Sequence, residues 1–107
     1  MRLQIKGRND ELTPEIRSYV ESKFIRLERQ LAEETEVEIE LAEETKHGRF
    51  TAEATVFAKG QTLRGVESTS DPRASIDKLA ETMERQIVGY REKRRLERRR
   101  RTEHHRV

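Results

Sequence analysis

Residues 35–41 read Thr-Glu-Val-Glu-Ile-Glu-Leu, a strict alternation of acidic and apolar side chains. Such alternation is typical of a β-strand with one buried face and one exposed face. The buried face would carry Val37, Ile39 and Leu41, and the glutamates would face solvent. This stretch therefore predicts a strand whose apolar side is covered by another part of the chain.

Three neighbouring stretches show the same alternation. Residues 50–57 place two small alanines between Phe50 and Val56, which predicts a helix crossing closely over that strand. Residues 62–68 form a weaker strand after a Lys59-Gly60 hairpin turn, and Gly65 within it indicates a close backbone approach or a bulge. Residues 2–6 predict a first strand at the N-terminus.

Two helices are predicted from matching start signals. Thr13-Pro14 and Asp71-Pro72 each place a capping residue before a proline at the first helical position. The first helix should run to about Ala32, and the second to around Arg95 or further before it frays. Their apolar stripes are Ile16, Val20, Phe24, Leu27 and Leu31, and then Ile76, Leu79, Ala80, Met83, Ile87 and Tyr90.

The element order predicts an α+β fold, β-α-β-β-β-α. The first two strands need a helical crossover and should be parallel, whereas the later strands can pair through hairpins. Two helices would then cover one face of a four-stranded sheet. The open face would carry Glu36, Glu38, Glu40 and Glu53, so the helical side is the better candidate for binding nucleic acid.

Charge is distributed unevenly along the chain. Residues 1–88 hold 14 Lys and Arg against 18 Asp and Glu, whereas residues 89–107 hold 9 against 3. A weakly acidic body thus carries a basic tail, which favours a polyanionic partner or simple solubility. We expect one domain over residues 1–95 and a basic tail, or the start of a linker, over 96–107.

Composition narrows the class of protein further. With 32% hydrophobic residues the core must be thin, and no run of residues approaches the length of a membrane span or a signal peptide. The chain has no cysteine, which excludes disulfides and thiolate metal sites. A cytoplasmic location is therefore expected.

No catalytic constellation is evident in the sequence. His47 lies in a predicted turn, and His104 and His105 lie in the tail without the helical spacing of a zinc pair. The alternating glutamates suit solubility and edge protection better than acid-base catalysis. We therefore predict a protein that is not an enzyme and that has no metal site and no cofactor.

The basic residues form three groups. Lys23, Arg26 and Arg29 lie along one edge of the first helix, where they could contact phosphates or pair with nearby glutamates. Lys78 and Arg85 are seven residues apart and share a face of the second helix. The tail group is the strongest signal, because such runs neutralise phosphates and release counterions; it contains Arg91, Lys93, Arg94, Arg95 and Arg98 to Arg101. Tyr19 and Tyr90 border apolar stripes, which favours packing over base stacking.

Several motifs together resemble the ribosome hibernation-promoting factors, a family that includes protein Y, over roughly residues 1–93. They are Leu3-Gln4-Ile5 with Gly7, Leu12-Thr13-Pro14-Glu15-Ile16-Arg17, Lys23-Phe24 through Leu27-Glu28, Ala52-Glu53-Ala54-Thr55-Val56, Asp71 with Ala74-Ser75-Ile76-Asp77 and Leu79, and Met83-Glu84-Arg85-Gln86-Ile87. Each motif is weak, but their order and spacing are specific.

The resemblance implies a fold similar to double-stranded-RNA-binding domains. It also implies binding to the small ribosomal subunit and its ribosomal RNA, in the channel for messenger and transfer RNA, with steric inhibition of translation in idle ribosomes. The RNA contacts it implies are Arg17, Lys23, Arg26, Arg85 and Lys93. Charge geometry adds Lys78, Arg91, Arg94 and Arg95.

The sequence departs from the family at a few positions. Pro72-Arg73 stands where the family often has Met-Tyr, and Thr82 and Gly89 replace residues that are commonly basic. Long family members add a domain that pairs ribosomes, so the chain is either a short member or the first domain of a longer one. Two other functions stay open: a general binder of RNA duplexes, and a protein-interaction module that uses the acidic sheet face.

Overall fold

The computed structural model describes residues 1–8, 12–44 and 46–104, and the side chains of residues 101–104 lie outside that description. The elements are β1 Arg2–Gly7, α1 Pro14–Phe24, a 3-10 segment Ile25–Gln30, β2 Glu36–Glu44, β3 Arg49–Ala58, β4 Gln61–Thr69 and α2 Pro72–His104. The predicted α+β order is confirmed. Within the described part, neither helix is long and apolar enough to cross a bilayer.

The four strands form one mixed sheet in the order β1-β2-β3-β4. β1 runs parallel to β2, with Leu3 beside Val37, and the other neighbours are antiparallel hairpins, with Ile39 beside Ala54. The hairpin between β3 and β4 turns at Gly60, whose φ of 80° favours glycine. This topology is the predicted one.

One face of the sheet is covered by α1, the 3-10 segment and α2. Val20, Phe24 and Leu27 from the first helical region and Met83 from α2 are fully buried against the strands. Gly65 lies directly under α2, because a Cβ atom there would come within 2.7 Å of the Met83 sulfur. β4 pairs with β3 in continuous register through Gly65, so this glycine marks a close approach and not a bulge.

The first helix ends earlier than predicted. α-helical geometry stops at Phe24, and the chain winds as a 3-10 segment to Gln30 instead of continuing to about Ala32. A 3-10 helix has three residues per turn, so Phe24 and Leu27 fall on the same buried side while Ile25 is 61% exposed. The tighter winding keeps the apolar side chains on the core.

The second helix is longer than the apolar stripe requires. Its 33 residues correspond to about 50 Å at 1.5 Å per residue, so its last turns project beyond the sheet. The projecting part is held at its base, because the Tyr90 hydroxyl donates to the Lys59 carbonyl oxygen over 2.7 Å. Arg94 Nη1 donates to the same oxygen over 2.9 Å, which ties α2 to the β3–β4 turn.

The open face of the sheet is less acidic than the sequence suggested. The glutamates of β2 lie beside basic residues of β1, since Arg2 pairs with Glu36 and Lys6 with Glu40. Arg8 donates to Glu40 over 2.6 Å, and on the other side Arg64 lies 3.9 Å from Glu53. Glu36, Glu40 and Glu53 thus each have a basic neighbour, whereas Glu38 lies between Gln4 and Thr55, and Glu40 lies opposite Glu53. The negative charge of this face is therefore reduced only in part, which the alternation within one strand could not indicate.

Candidate nucleic-acid interface

The basic edge of the first helical region, with Lys23 in α1 and Arg26 in the 3-10 segment, packs against acidic residues of α2. Lys23 Nζ lies 3.4 Å from Asp77 Oδ1, and Arg26 Nη2 lies 3.6 Å from Glu84 Oε2. All four side chains stay partly exposed, between 39% and 52%. Each interaction is therefore screened by water and stabilises the fold by about 1 kcal/mol or less. Lys23 and Arg26 are held in place at the surface rather than buried.

Tyr19 belongs to the same contact between the helices. Its hydroxyl donates to Asp77 Oδ1 over 2.6 Å, and the Lys23 ammonium and Arg73 guanidinium each lie 5.4 Å from its ring centre. The pKa of Tyr19 is raised above 10.0, first by the hydrogen bond to the Asp77 carboxylate and then by desolvation. The ring thus serves the helix–helix contact, as its position beside the apolar stripe suggested.

Two further basic residues point outward from α2. Lys78 follows Asp77 and Arg85 follows Glu84 along the helix, so each lies next to a carboxylate that holds a base of α1. Both are exposed and form no ion pair with any described residue, although Arg85 donates to the Thr82 hydroxyl over 3.3 Å. These two charges remain available for a polyanion.

Arg17 is placed differently from the other predicted residue of α1. It lies six residues before Lys23, which is about 120° around the helix at 100° per residue. It is exposed, but the structure does not bring it to the edge where α1 meets α2. Its assignment as an RNA contact stays a prediction carried by the family resemblance.

The remaining predicted residues lie on the projecting part of α2, residues 91–104, which we call the extension. Arg94 is engaged with the Lys59 carbonyl and the Tyr90 ring, whose centre is 5.6 Å away. Arg91 and Arg95 line a groove between the extension and the end of the sheet. Lys93 is exposed and does not line this groove.

The sequence reasoning did not identify the carboxylates that organise this surface. Asp77 and Glu84 are seven residues apart, so they share one face of α2 and meet the basic edge of the first helical region. The spacing in the sequence indicates that the two carboxylates share a helix face. That they meet Lys23 and Arg26 follows only from the contact between the two helical regions. The sequence shows Arg73 only as a departure from the family, and its contact with the Tyr19 ring likewise requires the fold.

Within the described residues no cluster of three or more His, Cys, Asp or Glu could hold a metal ion. His47 is exposed in the turn before β3, while the His104 side chain and His105 lie outside the described part.

Comparison with known proteins places this fold and these motifs in one family. The family described as Sigma 54 modulation protein / S30EA ribosomal protein matches residues 3–95. A ribosome hibernation promotion factor of Picosynechococcus is 33% identical over 87% of this chain and 50% of its own length. A ribosome hibernation promoting factor of Azotobacter vinelandii is 32% identical over 87% of this chain and 85% of its own length.

The same family is found among solved structures. The N-terminal domain of Thermus thermophilus protein Y matches with a TM-score of 0.74 and 33% identity, covering 84% of this chain and 99% of that one. The chain thus spans about half the length of some curated relatives and most of the length of others. On the match over residues 3–95, the chain belongs to the Sigma 54 modulation protein / S30EA ribosomal protein family.

Proposed function

We propose that this chain binds the ribosome and promotes its hibernation in the cytoplasm. The observation that carries the proposal is the family match over residues 3–95, together with relatives named as ribosome hibernation factors. The proposed role is binding and not catalysis. The proposed partners include paired ribosomes as well as single ones.

The proposed partner is the small ribosomal subunit. The chain would contact its ribosomal RNA in the channel for messenger and transfer RNA. The exposed Lys78 and Arg85, the held Lys23 and Arg26, and the basic extension support contact through the helical side. Inhibition of translation would be steric, because an occupied channel cannot accept message or transfer RNA. The basic neighbours of Glu36, Glu40 and Glu53 make the open face less acidic, which weakens the case for a protein-interaction role there.

Co-sedimentation with isolated small and large subunits tests this proposal. Replacing Lys78 and Arg85 by glutamine should weaken binding to small subunits and lower its salt dependence, since each lost phosphate contact reduces the salt slope by about 0.9. The matched control neutralises Lys6 and Lys46, which are exposed on a strand and in a turn outside the helices.

Three results would contradict the proposal. One is equal weakening by the two double variants, which would show that net charge alone matters. Another is affinity for a plain RNA duplex as high as for small subunits, which would favour a general duplex-binding module. The third is a translation reaction that the wild-type chain does not inhibit at saturating concentration.

A further inference from the structure

A basic groove runs beneath the extension of α2. One wall is the extension itself, and the other is the end of the 3-10 segment, the turn into β2 and the end of β3. Its volume is about 1440 Å³, which exceeds the roughly 300–1,000 Å³ of small-molecule sites. The size and openness of the groove suit a segment of polymer rather than a metabolite.

The groove combines positive charge with an apolar floor. Arg91, Arg95 and Arg99 line the wall formed by the extension, and Leu31 and Val88 contribute apolar surface. The carboxylates of Glu34 and Glu92 also line the groove, but the basic side chains there outnumber them. Val88 is 41% exposed, so its side chain is accessible to a ligand in the groove. The lining offers cations for a chain of anions and an apolar surface for flat, uncharged groups.

The wall is fixed before any ligand arrives. Tyr90 and Arg94 both donate to the Lys59 carbonyl oxygen, and Arg94 also donates to the Tyr90 hydroxyl over 2.9 Å. These bonds fasten the base of the extension to the β3–β4 turn beside the groove. A preformed wall lowers the cost of ordering the arginines on binding.

We propose that this groove binds a single-stranded segment of RNA, with phosphates on Arg91, Arg95 and Arg99 and unpaired bases on the apolar floor. Single strands expose base faces to such surfaces, whereas a duplex hides its base faces within the stack. An acidic peptide would satisfy the arginines but supplies no flat groups for the floor. The inference rests on the proposed function for the source of the RNA, namely an unpaired region of ribosomal RNA.

Binding of a fluorescent oligouridine to the whole chain tests the inference without ribosomes. Replacing Arg91 and Arg95 by glutamine should lower affinity about tenfold or more at about 0.1 M salt, and the salt slope should fall by about 1.4 for two lost phosphates on a single strand. The matched control is Lys6→Gln with Lys46→Gln, because neither residue lines the groove and the change in net charge is the same. Glutamine is a good helix former, so circular dichroism should show unchanged helicity in both variants.

Ligand variants test the role of the bases. An abasic oligomer of equal length keeps the phosphates and should bind about fivefold more weakly or worse, from the loss of base contacts. The groove variant and its control should bind an RNA duplex with the same affinity. Equal losses in the two double variants, equal affinity for the abasic oligomer, or equally tight binding of oligoglutamate would each overturn the inference.

The same variants separate this inference from the proposed function. If the ribosome is the partner but the groove does not take part, the Arg91→Gln, Arg95→Gln variant should co-sediment with small subunits as strongly as the control variant. If the groove binds single strands but the ribosome is not the partner, oligouridine binding should depend on Arg91 and Arg95 while no subunit sediments with the chain.

Discussion

Asp77 holds a residue that we expect to contact RNA, so its replacement should strengthen binding while weakening the fold slightly. In Asp77→Asn the carboxylate that lies 3.4 Å from Lys23 Nζ becomes a neutral amide. At that separation the attraction of two unit charges is about 1.2 kcal/mol in bulk water. Because both side chains are about two-fifths exposed, the net value should be below about 1 kcal/mol.

This energy sets the expected change in affinity. Lys23 must leave Asp77, or share its charge, to bind a phosphate, so removing the competition should tighten binding to small subunits about two- to fivefold. The free energy of unfolding should fall by less than about 1 kcal/mol, because an asparagine carbonyl can still accept from the Tyr19 hydroxyl. Binding and stability would then move in opposite directions.

Glu81→Gln is the matched control for this experiment. Glu81 is an exposed residue of the same helix and forms no ion pair with a described residue. Its replacement also converts one carboxylate to an amide, so the change in net charge is the same. Affinity should be measured by co-sedimentation at several salt concentrations, and stability by urea unfolding. If Asp77→Asn binds no more tightly than Glu81→Gln, Lys23 is not a contact restrained by Asp77 and the reasoning fails.

Tyr19 provides a direct check that this contact exists in solution. Its pKa is raised because its hydroxyl donates to the Asp77 carboxylate, so ultraviolet titration in a Tyr90→Phe background should show Tyr19 ionising above pH 10. A raised pKa in the folded state means that the stabilisation is present below pH 10 and is lost as the pH rises through the folded value. Asp77→Asn should return the pKa of Tyr19 towards 10.0. A pKa that this substitution leaves unchanged would contradict the assigned hydrogen bond.

Three further predictions concern the packing that positions the helices. Gly65→Ala should lower the free energy of unfolding in urea by about 1–3 kcal/mol, because its Cβ would meet the fully buried Met83 sulfur. When Met83→Ala is added to the same chain, the two losses should not be additive, and simple additivity would contradict the close approach. Ser75→Ala should lower the free energy of unfolding by about 1–3 kcal/mol, because the buried hydroxyl donates to the Phe50 carbonyl over 2.7 Å. An unchanged free energy would show that another donor serves that carbonyl. Tyr90→Phe should cost about 0.5–1 kcal/mol and weaken oligouridine binding, whereas unchanged binding would show that the tie to the β3–β4 turn does not set the groove.

Local patterns in the sequence predicted most of the fold. Alternation marked the strands because each one has a single buried face, and a proline after a capping residue marked both helix starts. Thr13 caps α1 as expected, accepting from the Ile16 amide over 3.2 Å. The end of α1 could not be predicted in the same way, because the choice between α and 3-10 winding depends on how Leu27 meets the core.

The site was less predictable than the fold. Single basic residues were visible in the sequence, but their partners come from elsewhere in the chain. Asp77 meets Lys23 only because two helices cross the same sheet, and the extension is tied at its base to a backbone carbonyl at Lys59. A backbone carbonyl carries no side-chain signal, so the sequence could mark the tail as basic without indicating that it forms a wall.

The carboxylates also bear on how a weakly acidic body could select one RNA. Residues 1–88 carry four more acidic than basic residues, so this part of the chain has no general attraction for polyanions. Lys23 and Arg26 are held by Asp77 and Glu84, and an RNA gains from them only if its phosphates reach those positions. The extension would supply long-range attraction, whereas the paired helices would supply a geometric requirement. On this view the neutralisation of Asp77 should reduce discrimination between small subunits and plain duplexes even as it raises affinity for both.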